Sequence, residues 1–168
     1  MTICLSVIGA IIALTEVGFI IFQYAKESVR RRRSETISVY NQIFNDTYEL
    51  RDQYTKITQN TSFVAEEIYK NPDLYKNIMG LLTTLESFSK GLEYGVYDFK
   101  TFVYLTPNEM FEILCSLKQF IYEERKKKSY DLLFDGFIYL TDILSISIQT
   151  KLSGKDIHFK YTKLKRRR

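Results

Sequence analysis

Tryptophan is absent from this chain, proline occurs twice, glycine seven times, cysteine twice and histidine once. Each scarcity excludes something. So few breakers leave little room for the turns that many short strands need, and they favour long helices. The single histidine, His158, lies near the end of a charged tail. That removes His-dependent acid–base pairs from the body of the chain and argues against a His-containing zinc site. Cys4 falls in an apolar run and Cys115 on an apolar helix face. Neither has metal-ligand spacing and nothing pairs them, so a reduced compartment is the default for the main domain. No glycine-rich phosphate loop, G-x-S-x-G or C-x-x-C motif is present. Adjacent acids such as Glu66/Glu67 and Glu123/Glu124 diverge around a helix rather than share a site. The expectation is a protein that is not an enzyme, with no catalytic residues, no metal and no cofactor.

What is present is an ordinary folded composition of one-domain size. Of 168 residues, 45% are hydrophobic and 26% charged, with 13 Tyr and 12 Phe. The net charge of +4 is modest but unevenly spread.

The N-terminus is the first conspicuous feature. From Ile3 to Phe22, twenty residues carry one charge, Glu16. That length suits about 30 Å of hydrocarbon. The cations follow the run (Lys26, Arg30, Arg31, Arg32, Arg33) instead of preceding it, unlike a secretory signal peptide. A buried core helix is the competing reading. Positive-inside bias favours a single-pass anchor, N-terminus outside and body in the cytoplasm. Arg30 to Arg33 are then lipid-headgroup anchors. At 100° per residue, Ser6, Gly9, Ala10, Ala13 and Glu16 share one side. Small residues let helices approach closely, so this stripe suits packing between identical helices around Glu16. The alternatives are that Glu16 is structural, or that the true span is shifted.

No breaker appears between Ala25 and Ser62, so the helix is expected to run on from the membrane. Ile37, Tyr40, Phe44, Tyr48 and Arg51 or Tyr54 keep helical spacing, widened by Val39, Ile43, Leu50 and Ile57. "TQNTS" (58–62) reads as a stop, and Phe63–Tyr69 as a short helical piece. Pro72 opens a helix through Leu74, Ile78, Leu82, Leu85 and Phe88, ended near Gly91 and Gly95. Asp98 reads as an N-cap, and "TPNE" (106–109) as a capping box in which Thr106 caps and Glu109 reaches back. The helix it opens closes in "EERKKK" (123–128), and a last one is expected over Tyr130 to Leu152. The fold class is all-α: a transmembrane helix (1–24), a long juxtamembrane helix (25–60), a cytoplasmic helical bundle (61–153) and a basic tail (154–168).

The tail interleaves Phe159, Tyr161 and Leu164 with Lys155, Lys160, Lys163, Lys165, Arg166, Arg167 and Arg168. Cations among aromatics suit a single-stranded polyanion, phosphates on the charges and bases on the rings. Anionic lipid, or plain solvent, suits them equally.

The stretch "LLTTLESFSKGLEYGVYD" (81–98), followed after about twenty residues by "FIYEERKKK" (120–128), resembles an uncharacterised bacterial family. Its members have one N-terminal membrane helix and a cytoplasmic helical domain with an L-x-x-L-E…G-(I/V)-Y-D segment. The matching residues here are Leu82, Leu85, Glu86, Gly91, Gly95, Val96, Tyr97 and Asp98, then Phe120, Ile121 and Arg125. Proteins of this shape are similar to membrane channel effectors of bacterial anti-phage defence of the Hailong type. The resemblance implies a homo-oligomeric channel gated through its cytoplasmic domain by a nucleotide or oligonucleotide, with a partner nucleotidyltransferase making that ligand. It assigns no ligand-binding residue. The other reading is a membrane-tethered interaction module that conducts nothing.

Overall fold

The computed structural model describes residues 2–60 and 62–152, with side chains over 14–60 and 62–150. Every regular element among them is a helix: α1 (Thr2–Thr58), α2 (Ala65–Lys70), α3 (Pro72–Glu93), α4 (Phe99–Leu105), α5 (Asn108–Lys128) and α6 (Asp135–Leu152).

Without an internal proline, α1 runs unbroken for 57 residues, about 85 Å at 1.5 Å per residue. Only its C-terminal part joins the bundle. Thr36, Tyr40, Ile43, Thr47, Leu50 and Tyr54 are its buried positions. Their alternating steps of four and three keep one stripe against a partner. The stripe includes two threonines because each returns its hydroxyl to its own helix, Thr36 to Arg32 O (2.7 Å) and Thr47 to Ile43 O (2.6 Å). That shifts the seam from the expected one: Ile37 and Ile57 are exposed.

α3 lies antiparallel to α1. Its start is fixed by Pro72 in the first turn and by Asn71, whose side chain accepts from Leu74 N–H. Asn77 donates to Gln53 near the far end of α1 (3.2 Å), and Gly95 reaches Arg32 at the near end. α5 runs antiparallel to α3, joined where Tyr75 meets Glu124. α6 turns back along α5, with Asp135 by Arg125 and Asp142 paired to Lys118. α2 folds over the end of α1, where Val64 N–H donates to the Tyr54 hydroxyl (2.8 Å).

Phe88, Phe102, Ile43, Leu82, Leu114, Phe120 and Phe137 fill one continuous core. Burial of each such side chain contributes about 1.5–3 kcal/mol relative to leaving it in water.

Two expected ends differ. Thr106 does not cap α5. Its hydroxyl and N–H both return to Phe102 O, so it closes α4, and Pro107 occupies the cap position without a side-chain bond. α6 starts at Asp135, not Tyr130, because Ser129 (φ 50°) and Phe134 (φ 54°) turn the chain through left-handed conformations. Cys115 is exposed, not on the apolar face.

Among the described residues no helix is long and apolar enough to cross a membrane. The span expected over 1–24 lies half outside the described side chains, as do Ser6, Gly9, Ala10 and Ala13 on its small-residue stripe.

Candidate functional site

The part of α1 that the bundle leaves uncovered is the most unusual surface of the molecule. Every side chain from Leu14 to Ser28 is exposed. Seven of them are large and apolar or aromatic: Leu14, Val17, Phe19, Ile20, Ile21, Phe22 and Tyr24, each 54–76% exposed. A hollow of about 860 Å³ beside Phe19, Phe22, Lys26 and Arg30 is bounded by α1 alone, so it is a stretch of open helix flank. Nothing lies within 4 Å of where a side chain on Gly18 would start. Glu16 stands exposed in this apolar length.

The arginine run follows. Arg30 and Arg33 are exposed, Arg31 bonds Glu35 (2.9 Å), and Arg32 turns toward the bundle. There the Arg32 guanidinium lies 4.0 Å from where a side chain on Gly95 would start, and its buried Nε has no hydrogen-bond partner. The tail cations Lys155, Lys160, Lys163, Lys165 and Arg166–Arg168 lie outside the described residues.

Residues of the 81–98 and 120–128 motif serve as fasteners. Glu86 accepts from the N–H groups of Gly136 (3.2 Å) and Phe137 (2.7 Å), placing a carboxylate on the α6 N-terminus. A side chain on Gly136 would meet both Glu86 oxygens at 2.8 Å. At Gly91 a Cβ would sit 2.3 Å from the Tyr97 ring, which stacks on Phe88 with centroids 4.9 Å apart. Gly95 takes φ +72° to turn the chain. Asp98 caps α4 by accepting from Thr101 N–H (2.8 Å), while its own N–H donates to Thr36 Oγ1 (2.7 Å). Arg125 donates to Leu133 O (2.9 Å), clamping the turn before α6.

Glu124 is the feature that sequence reasoning passed over. In "EERKKK" it reads as part of a solvated helix end, yet no solvent reaches its side chain (0% exposed). Tyr75 donates to its Oε2 (3.0 Å), and Lys128, itself 43% exposed, lies 3.1 Å from the same oxygen. Oε1 and the Tyr69 hydroxyl are both buried and neither has a partner in good hydrogen-bond geometry. Tyr69 therefore acts on the carboxylate as a nearby dipole, off the ideal line. Burial works to raise the Glu124 carboxyl, but Tyr69, Lys128 and Tyr75 together outweigh it and hold the group below its ordinary value. Burial first, then Glu124, pushes the Tyr69 hydroxyl up. Bonds to Tyr75 and Glu124 raise Lys128. Lys127 sits over the Tyr69 ring at 3.8 Å. This network ties α2, α3 and α5 together at the end of the bundle remote from the arginine run.

No group of His, Cys, Asp and Glu among the described residues could hold a metal ion. The fold and its uncovered helix define a class: a helical bundle built on the second half of a long helix whose first half projects, apolar, away from it. The chain belongs to the family described as Domain of unknown function (DUF4760), whose model matches residues 3–142. The match takes in the apolar run, the arginines and the bundle into α6, and leaves the tail outside. It carries no link to anti-phage effectors. No curated protein and no solved structure matches the chain.

Proposed function

We propose that this protein is a membrane-anchored helical module. The N-terminal half of α1 crosses the inner membrane of a bacterium, Arg30 to Arg33 meet the headgroups, and the bundle from Thr36 onward stands in the cytoplasm. One observation carries this reading. Seven large side chains between Leu14 and Tyr24 are each more than half exposed on a helix flank that none of the other described residues covers. Each leaves about 1.5–3 kcal/mol of burial free energy unused in water. Six of them, Leu14 to Phe22, fall in the twenty-residue run Ile3–Phe22, whose one charge is Glu16, and Tyr24 follows it.

Cell fractionation tests it. The full chain should stay with membranes through a carbonate wash, and deletion of residues 2–24 should release a bundle of undiminished helicity. A full chain that is soluble and monomeric without detergent would sink the reading.

Glu16 favours a second reading, a homo-oligomeric channel. A lone carboxylate facing lipid costs about 2.5–3.5 kcal/mol on insertion scales, and a ring of helices around a wet lumen removes that cost. Gating of such a channel by a nucleotide or oligonucleotide from a partner nucleotidyltransferase would call on the tail cations, Lys155 to Arg168.

A further inference from the structure

The bundle has a second surface aimed along α1 toward its uncovered half. α3 runs antiparallel to α1 and ends at Tyr94. The chain reverses there through Gly95 beside Arg32 and is pinned at Asp98 to Thr36. α4 then runs back down α1, until Leu105 O accepts from the Tyr40 hydroxyl (2.8 Å). The turn 94–97 is therefore the apex of the bundle on this side. Tyr97 packs inward on Phe88, but Tyr94 is 79% and Val96 47% exposed. Beside this apex, residues 26–35 of α1 carry five cations against Glu27 and Glu35.

We infer that the α3–α4 corner is a second membrane contact, in which Tyr94 and Val96 rest on anionic phospholipid headgroups next to the arginine run. The inference rests on the anchoring proposed above. An exposed tyrosine and an aliphatic side chain are the types that settle at the headgroup level, and the neighbouring cations match an anionic surface. The geometry sets a condition. Arg32 lies about 12 Å beyond Tyr24 along α1, and the interfacial layer is about 5–7 Å deep. An upright α1 holds the corner clear of the headgroups. A tilt of about 20°, the average for membrane helices, toward the α3–α4 side brings a corner about 10 Å off the α1 axis roughly 4 Å nearer, within a tyrosine side chain's reach of them. The corner contact is what selects that direction of tilt and fixes the rotation of the bundle over the bilayer.

The absence of tryptophan supplies the test. Two single-reporter variants of the full chain, Phe19→Trp and Tyr94→Trp, are reconstituted into vesicles of phosphatidylcholine with or without phosphatidylglycerol. Brominated acyl chains should quench the first reporter several-fold in both lipids. A nitroxide carried on the headgroup should quench the second several-fold with phosphatidylglycerol present, and that quenching should fall with added salt. Adding Arg30→Glu and Arg33→Glu should abolish the second signal and leave the first. Quenching of Phe19→Trp alone overturns the corner contact while the anchoring stands. Quenching of neither overturns both. If Tyr94→Trp answers a short oligonucleotide in detergent but ignores lipid charge, the corner belongs to nucleic acid and the membrane contact is wrong.

Discussion

The two halves of α1 treat apolar side chains in opposite ways. From Thr36 to Tyr54 the buried positions fall in steps of four and three, on one stripe, and Ile43 and Tyr54 are sealed completely. From Leu14 to Phe22 the large side chains point all around the helix, and all are exposed. A stripe means a partner on one side, here α3, α4 and α5. Apolar residues on every side mean surroundings that are apolar on every side. On the anchoring proposed above, the same helix passes from one environment to another within about fifteen residues, and the arginine run stands at the change.

The strongest way to break that comparison is to make one substitution in each half. Phe102, fully buried against Phe88 and Tyr40, should cost about 3–5 kcal/mol on truncation to Ala. Phe19→Ala should stay within about 0.5 kcal/mol, since it removes nothing the bundle uses. Urea midpoints of both variants in detergent decide it, and equal losses would mean the projecting half packs on the bundle.

A smaller effect probes the fasteners. Gly91→Ala drives a methyl into the Tyr97 ring and should cost up to about 3 kcal/mol. Tyr97→Leu in the same chain should restore part of it, because it removes Cε2, the nearest atom of the ring edge that the methyl meets. Thermal unfolding of the two single variants and the double one closes the cycle. Additive losses would show that the ring is not the obstacle.

These fasteners show how much was legible. Pro72, Asp98 and the stop after Thr58 were readable because their signals are local, a fixed φ or a side chain that reaches three residues ahead. Thr106 misled because its hydroxyl had two local acceptors to choose between and took the one behind it. The turn at 129–134 gave no signal, since Ser129 and Phe134 adopt positive φ without glycine. Glu86 and Glu124 were invisible as buried or capping groups for another reason. Their partners, Gly136 and Phe137 or Tyr75, lie some fifty positions away and only the tertiary fold brings them near. Of the candidate site, the apolar run and its arginines were plain from composition. That Arg32 turns inward to the α3–α4 corner was not, because nothing local distinguishes it from its three neighbours.

The Glu124 network should give an effect of about 1–2 kcal/mol for Glu124→Gln at neutral pH, since Tyr75 and Lys128 keep weaker bonds to the amide. Its pH dependence has a definite sign. The folded carboxyl titrates below its ordinary value of 4.5, so its stabilisation is present above that value and is lost as pH falls through the folded one. Lys128, raised above 10.5, contributes fully below that value and loses its contribution as pH rises through the folded one. The gap between native and Glu124→Gln stability should therefore be widest at neutral pH and shrink below about pH 4.5. A gap that grows in acid would mean the native carboxyl is protonated.

Glu16 should produce the least change in the bundle and the most informative one in the membrane. It touches no part of the folded core, so Glu16→Gln should leave the urea midpoint where it was. If α1 helices assemble around a lumen, their carboxylates favour cations at that level, and Gln removes the charge while keeping the shape. The reversal potential in asymmetric salt should then move toward zero in planar bilayers. Glu16→Leu should dry the lumen and suppress current altogether. Ala13→Leu, on the side of the helix where small residues permit close approach, should instead lower the oligomer mass in detergent. Assembly and conduction thus answer to different residues, and the pair of variants tells them apart. Loss of mass with Ala13→Leu but no current from any form leaves an oligomeric tether. An unchanged reversal potential with Glu16→Gln removes the carboxylate from any selectivity role.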